Sequence, residues 1–238
     1  MATDRDRAEF WQQGSAPSPL RRVLPEADLF AVGGDLSLQR LLAAYRQGIF
    51  PWYDETSPEP LWWNPDPRMA LFPDEFRLSR SLRKTLRQKE YEVRVDSAFA
   101  EVIAACGAIS RNGQRGTWIT PAIARAYAAL HRAGYAHSVE TWIEGELAGG
   151  LYGVAIGRMF YGESMFSLRS DASKIALAHL VSYLKREGFG LIDCQMNTAH
   201  LASLGAREIG QSEFLAHLAR LTTETPVTWP KSLIWQEE

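Results

Sequence analysis

The stretch HSVETWIEGELAGGLYGVAIGRMFYGESMFS, residues 137–167, constrains this chain more than any other. It holds three strand-like runs rich in β-branched and aromatic residues. Glu144-Gly145 and Ile156-Gly157-Arg158 stand between the runs as turn signals, the pattern of an antiparallel meander. In the last run Phe160, Tyr161, Met165 and Phe166 are bulky and apolar, yet Glu163 sits among them. A carboxylate is costly to desolvate among aromatics unless it meets a partner, so Glu163 is either turned to water or kept for a purpose.

The segments around the meander set its context. LSRSLRKTLRQ, residues 78–88, reads as a short helix with Arg80, Arg83, Lys84 and Arg87 at spacings of three and four. YEVRV, residues 91–95, alternates like a strand, and Asp96 is placed to cap a helix through Phe99, Ile103 and Cys106. Thr120-Pro121 starts another helix, with Ile123, Tyr127 and Leu130 as its apolar stripe and Gly134 as its stop. After the meander, Ser170 or Asp171 opens a helix through Ile175, Leu177, Leu180, Val181 and Leu184 that ends near Gly188, and GLIDCQM supplies one more strand. A short helix from His200 to Leu204, the strand-like REI and a helix from about Ser212 to Leu221 follow. This mixed α+β order is typical of the acyl-CoA N-acyltransferase (GNAT-like) fold. There the strand ending the meander and the strand after the next helix run side by side and splay apart. FYGESMFS and LIDCQM are thus expected to flank one cleft, with Glu163 and Asp193 as two carboxylates facing it. Asp193 and Gln195, two apart on one strand, are expected to share a face, with Cys194 pointing the other way. Asp193 reads equally well as a carboxylate capping a nearby backbone turn.

Residues 1–69 have a different texture, rich in Pro, Gly and Trp, and read as a small N-terminal domain beside a catalytic domain at 70–238. One helix is clear in it: Asp35 is placed to cap LSLQRLLAAYRQG, Leu38, Leu41, Leu42 and Tyr45 give it an apolar face, and Gly48 closes it. The remainder reads as turns, because FPWY and LWWNPDPR set aromatics beside prolines. The chain's 238 residues, 46% hydrophobic, suffice for one large domain or two small ones. A formal net charge of -2 gives no global attraction to nucleic acid, so any such role needs a local basic face. Cys106 and Cys194 lie in apolar contexts without CxxC spacing, which predicts reduced thiols and a cytoplasmic protein. MATDRDRAEFWQQGS at the N-terminus lacks an apolar core, and no apolar run approaches membrane-spanning length. His137 and His200 read as hydrogen-bonded structural groups and not as metal ligands, so no metal is expected.

GGDLS with GIFPW, WWNPDPR, TWIT, HSVE, YGESMFS, ASK, and LIDCQ followed by HLASLGA occur in this order from about residue 30 to residue 206. In these motifs the sequence resembles the bacterial leucyl/phenylalanyl-tRNA-protein transferases. The resemblance implies transfer of Leu or Phe from a charged tRNA to the N-terminal Arg or Lys of a protein, marking it for degradation, without a cofactor. It carries the catalytic pair onto Asp193 and Gln195, with Asp193 orienting the Gln195 amide. It also implies a hydrophobic hole for the donor side chain lined by Trp52, Trp118, Phe160, Met165 and Ile192, with Ser164 among the substrate-binding positions and Leu151 and Leu180 as further wall. An unbranched Met beside aromatic walls adapts to either Leu or Phe, whereas β-branched donors crowd the entrance.

Aminoacyl transfer replaces an ester with an amide: an amine loses a proton, an oxyanion needs stabilising and the ribose hydroxyl leaves. Glu163 is placed to meet the cationic acceptor, to hold the tRNA 3' adenosine or to join the Asp193 network. Arg80, Arg83, Lys84 and Arg87, otherwise an ordinary solvated helix face, become the candidate tRNA contact. No GxSxG arrangement appears. The alternative is an acyl-CoA-dependent N-acetyltransferase, but SLRSDASK lacks the glycine-rich turn that cradles a pyrophosphate. A non-catalytic RNA-binding adaptor leaves Glu163, Asp193 and Gln195 without a task.

Overall fold

The computed structural model of the chain describes residues 21–22, 28–88, 90–109 and 117–236, so the N-terminal stretch MATDRDRAEFWQQGS lies outside the described residues. The mixed α+β class is present, built on two sheets. The smaller, in the order β1-β2-β4-β3, contains β1 (Arg21–Arg22), β2 (Leu29–Val32), β3 (Phe50–Pro51) and β4 (Leu61–Trp63). Expecting only turns outside the helix of this segment was therefore wrong. Its strands are two to four residues long, too short to display a period. Pro51 is tolerated because β3 is an edge strand. Helix α1 (Leu38–Tyr45) is capped by Ser37, whose hydroxyl accepts from the Arg40 amide, and not by Asp35. Asp35 instead holds the cap, accepting from the Ser37 amide and from Arg40 Nε, each at 3.0 Å. Gly48 closes the helix with φ +76°, and a Cβ there would lie 2.8 Å from the Phe214 ring.

The larger sheet has the order β11-β5-β10-β9-β8-β7-β6. Its strands are β5 (Arg68–Leu71), β6 (Glu92–Val95), β7 (Ala136–Ile143), β8 (Glu146–Ile156), β9 (Met159–Ser167), β10 (Leu191–Gln195) and β11 (Arg207–Ile209). Strands β7, β8 and β9 are the expected meander, and Glu144 and Gly145 both take positive φ in the first turn, the conformation that a two-residue hairpin requires. All pairings are antiparallel except β9 with β10, which run parallel from Leu191↔Met159 to Asp193↔Tyr161 and then part. This is the splayed pair expected of a GNAT-like arrangement.

Helices α3 (Phe99–Ala108), α4 (Pro121–Arg132) and α7 (Gln211–Leu221) share one core with α1 and the small sheet, in which Leu41, Trp62, Phe99, Tyr127 and Phe214 are buried together. Helices α2 (Arg80–Gln88) and α5 (Ala172–Arg186) belong to a second core, with Leu82, Leu86, Phe160, Ile175 and Leu180. Between β10 and β11 lies the short α6 (Ala199–Ser203). Each fully buried Leu or Phe contributes about 1.5–3 kcal/mol, so neither sheet is stable without its helices. The exposed edge of β6 is covered by the chain's end, where the Val95 amide donates to Lys231 O and the Leu233 amide to Val93 O.

Two helix starts behave differently. Thr120 caps α4 as expected, accepting from the Ile123 amide. Asp96 does not cap α3. It takes φ +56° and turns to β7, accepting from the Ser138 amide and contacting His137 Nδ1 at 2.7 Å. The N-terminus of α3 is served from β7 by the fully buried Glu140, which accepts from the Ala98 amide, Ser97 Oγ and Ser138 Oγ. Glu140→Ala leaves these donors without their acceptor and should lower unfolding stability by about 1–3 kcal/mol, measured by urea titration. A loss within error would show that water replaces the carboxylate.

Candidate functional site

Where β9 and β10 part, a cavity of about 590 Å³ opens and is closed from the other side by Phe50, Pro51, Trp52 and Trp118. Its apolar wall includes Trp52, Trp118, Leu151, Phe160, Met165, Leu177, Leu180 and Ile192, and its polar lining includes Glu163, Ser164, Gln195, Asn197, Thr198 and His200. Among the sequence-derived candidates, Trp52, Trp118, Phe160, Glu163, Ser164, Met165, Ile192 and Gln195 thus meet at one site. Asp193 does not line it.

A bulge in β9 explains the glutamate. Tyr152 of β8 faces Ser164 and Gly153 faces Gly162, which leaves Glu163 as the extra residue. The inserted residue flips the alternation of the strand. Tyr161 packs with the α1 and α4 core, whereas Met165 joins Phe160 on the opposite, cavity side. Gly153 is required beside the bulge, because a Cβ there would lie 2.3 Å from Tyr161 O. Glu163 accepts from Tyr45 OH at 2.6 Å and from Tyr127 OH at 2.9 Å, and the two phenols also contact each other. Burial pushes the Glu163 carboxyl up to about 7, against the pull of the two phenol donors, which favour its charged form. Tyr45 and Tyr127 look like plain apolar positions of two helices, and nothing in their spacing announces that their hydroxyls meet over residue 163.

Asp193 is fully buried and receives a bidentate pair from Arg68, with Nε at 2.8 Å and Nη2 at 2.7 Å. The guanidinium lies between the rings of Phe50 and Phe214, 4.8 and 4.6 Å from their centroids. The expected bond from Asp193 to the Gln195 side chain is absent. Asp193 Oδ1 accepts instead from the Gln195 backbone amide at 2.9 Å, a local turn of the kind its plain reading allows. Gln195 takes φ +56° and the pairing of β10 with β5 slips at this point, so strict alternation does not reach it. Its Nε2 is buried without a hydrogen-bond partner, beside the cavity. The same geometry corrects Cys194, which lines the cavity with Ile192 while Asp193 faces away. Burial first, and then the neighbouring Asp193 charge, push the Cys194 thiol far up, so it is no nucleophile. Arg68, at the end of WWNPDPR, was visible only as part of a motif, because its partner lies 125 residues further on.

Arg80, Arg83, Lys84 and Arg87 are exposed on α2, which Leu82 and Leu86 pin to the second core. None of the four lines the cavity. Arg83 borders a smaller depression of about 130 Å³ with Asp74 and Lys185. His137 stacks on Trp229 with ring centroids 4.2 Å apart and contacts Asp96, whereas His200 stands exposed at the cavity mouth. Among the described residues no group of three or more His, Cys, Asp or Glu is placed to hold a metal ion, and no helix is long and apolar enough to cross a membrane.

Comparison with known proteins agrees with the motifs. Residues 70–219 match the model of a family described as leucyl/phenylalanyl-tRNA protein transferase, and residues 34–66 match that of its N-terminal domain. A leucyl/phenylalanyl-tRNA--protein transferase of Aromatoleum aromaticum is 60% identical over 87% of this chain and 87% of its own. That of Nitrosomonas europaea is 62% identical over 85% of this chain and 86% of its own. Among solved structures, L-PGS from Bacillus licheniformis aligns with a TM-score of 0.43 at 10% identity, covering 79% of this chain and 71% of that one, too loose a likeness to bear on function.

Two stability measurements test the site's electrostatics. Asp193→Asn strips the buried Arg68 of its counter-charge and should cost about 3–5 kcal/mol, whereas Gln195→Ala should cost under about 1 kcal/mol. Equal losses in urea titration would refute that division. The Glu163 carboxyl titrates near 7 in the folded chain against 4.5 ordinarily, so its contribution to stability is full below pH 4.5 and is lost as pH rises through 7. Relative to wild type, Glu163→Gln should therefore gain melting temperature between pH 5 and pH 8, and an offset that stays constant would contradict this assignment.

Proposed function

The chain belongs to the leucyl/phenylalanyl-tRNA protein transferase family, and from that membership we propose that its cleft takes Leu or Phe from an aminoacyl-tRNA and passes it to the N-terminal Arg or Lys of a protein, creating a degradation signal in the cytoplasm. The observation that carries this reading is the cavity itself: an apolar wall of Trp52, Trp118, Phe160, Met165 and Ile192 beside Glu163, Ser164 and Gln195. The wall accepts the donor side chain, and the polar side receives the ester and the incoming amine. The unpartnered Gln195 amide is available to the reacting groups, with Asp193 holding its backbone in place. Phosphates of the tRNA fall to Arg80, Arg83, Lys84 and Arg87, and residues 1–69 and 70–238 serve as the two domains. The acyl-CoA alternative is disfavoured at the start of α5, where Asp171 pairs with Lys174 at 2.8 Å and puts a carboxylate where a pyrophosphate would bind.

Incubation with leucyl-tRNA and a peptide beginning with Arg should add one leucyl residue by mass. No gain, or acetylation from acetyl-CoA, would reject the reading. Met165→Ala should lower leucyl transfer more than phenylalanyl transfer, by about 10-fold in the ratio of kcat/KM values, because Phe recovers part of the lost contact. An unchanged ratio would remove Met165 from the donor wall. Replacing Arg83, Lys84 and Arg87 with Ala should weaken tRNA binding and flatten its salt dependence by about 0.9 per lost phosphate contact, with little effect on an aminoacyl-adenosine donor.

A further inference from the structure

Glu163, Tyr45 and Tyr127 form a closed ring of three oxygen–oxygen contacts: Tyr45 to Glu163 Oε1, Tyr127 to Glu163 Oε2, and Tyr45 to Tyr127. Each phenol carries one proton. With Glu163 ionised, two protons serve three contacts, and the two phenolic oxygens meet without a hydrogen between them whenever both donate to the carboxylate. With Glu163 protonated, three protons serve three contacts: Glu163 donates to one phenol, that phenol to the other, and the second phenol back to Glu163. Every member then donates once and accepts once. The ring is built with room for one more proton than its ionised form holds.

We propose that this ring takes the proton that the acceptor's N-terminal ammonium must shed before it can attack the aminoacyl ester. The inference rests on the transferase reading of the cleft and assigns the base within it. Glu163 is the sole carboxylate among the described residues lining the cavity. Asp193 is turned away, saturated by Arg68 and the Gln195 amide, and the carboxamide of Gln195 is too weak a base. Cys194 is held as a thiol, and His200 is exposed at the mouth. The groups acting on Glu163 are Tyr45 from α1, Tyr127 from α4, Asp193 from β10 and Arg68 from β5. In the transfer, the ammonium gives one proton to Glu163 and its nitrogen forms a bond to the ester carbon, whose carbonyl becomes an oxyanion. The nitrogen's next proton goes to the ribose oxygen as the C–O bond breaks. Amide, free hydroxyl and one proton on the ring result, and the last is released to water.

Glu163→Gln closes the same ring with an amide N–H in place of the acid proton, so the fold is retained while the vacancy for a proton is lost. With an Arg peptide at pH 7, where roughly one α-amino group in ten is neutral, the variant's kcat should fall about 5- to 10-fold with little change in the peptide KM. The ratio of wild-type to variant kcat should shrink toward one as pH rises above about 8, because the peptide's α-amino group is then already neutral and has no proton to give. An acceptor whose terminal amine is a hydrazine, neutral at pH 7, should be used by the variant within about threefold of wild type. A loss confined to KM, a pH-independent ratio or an equal loss with the hydrazine acceptor would overturn the proposal and leave the transferase reading standing. Failure of the wild type to transfer leucine would overturn both.

Discussion

The paired charges of Arg68 and Asp193 hold the rest of the site in register. Both are sealed from water, and a sealed ion pair is a weak source of stability in itself, because the desolvation of its members offsets their attraction. What it supplies is geometry. The planar guanidinium accepts one arrangement of the carboxylate, and the rings of Phe50 and Phe214 fix its plane. The pair therefore ties the small sheet, through Phe50, to β5, β10 and α7. Through the second bond of Asp193 Oδ1 it also holds the backbone of Gln195 in a left-handed turn.

Two departures from regular strand geometry face each other across the point where β9 and β10 separate. In β9 the bulge at Glu163 lets neighbouring residues of one strand reach the cavity together, a carboxylate held by Tyr45 and Tyr127 of the helices and a methionine of the apolar wall. In β10 the left-handed Gln195 ends the pairing with β5 and brings a carboxamide to the cavity rim. Neither departure stabilises a sheet, and local rules broken at a functional site are where chemistry is expected.

Much of this was legible in the chain. The meander, the Thr120 cap, the Gly48 stop and the helical stripes all follow from local spacing and turn chemistry, and the cavity wall followed from the motifs. What escaped depends on partners far away in sequence. Glu140 serves a helix end some 42 residues earlier, Tyr45 meets a carboxylate 118 residues later, and Asp193 spends both oxygens on groups that alternation does not reveal. The error at Cys194 has a plain cause. Alternation was counted from Asp193 toward a cleft assumed to hold it, whereas Ile192 and Cys194 are the residues that face the cavity.

The single core shared by the small sheet, α1, α3, α4 and α7 bears on the order in which the molecule is made. Helix α1 emerges early from the ribosome, but its Tyr45 has no companion until Tyr127 and then Glu163 follow, and β5 cannot pair until β10 and β11 are synthesised. Non-local pairings of this kind form late, since the intervening chain must be closed into a loop first. A nascent chain halted before β9 holds most of the aromatic residues of the cleft and no cleft. Competence for aminoacyl transfer therefore waits until β9, β10 and β11 have been made.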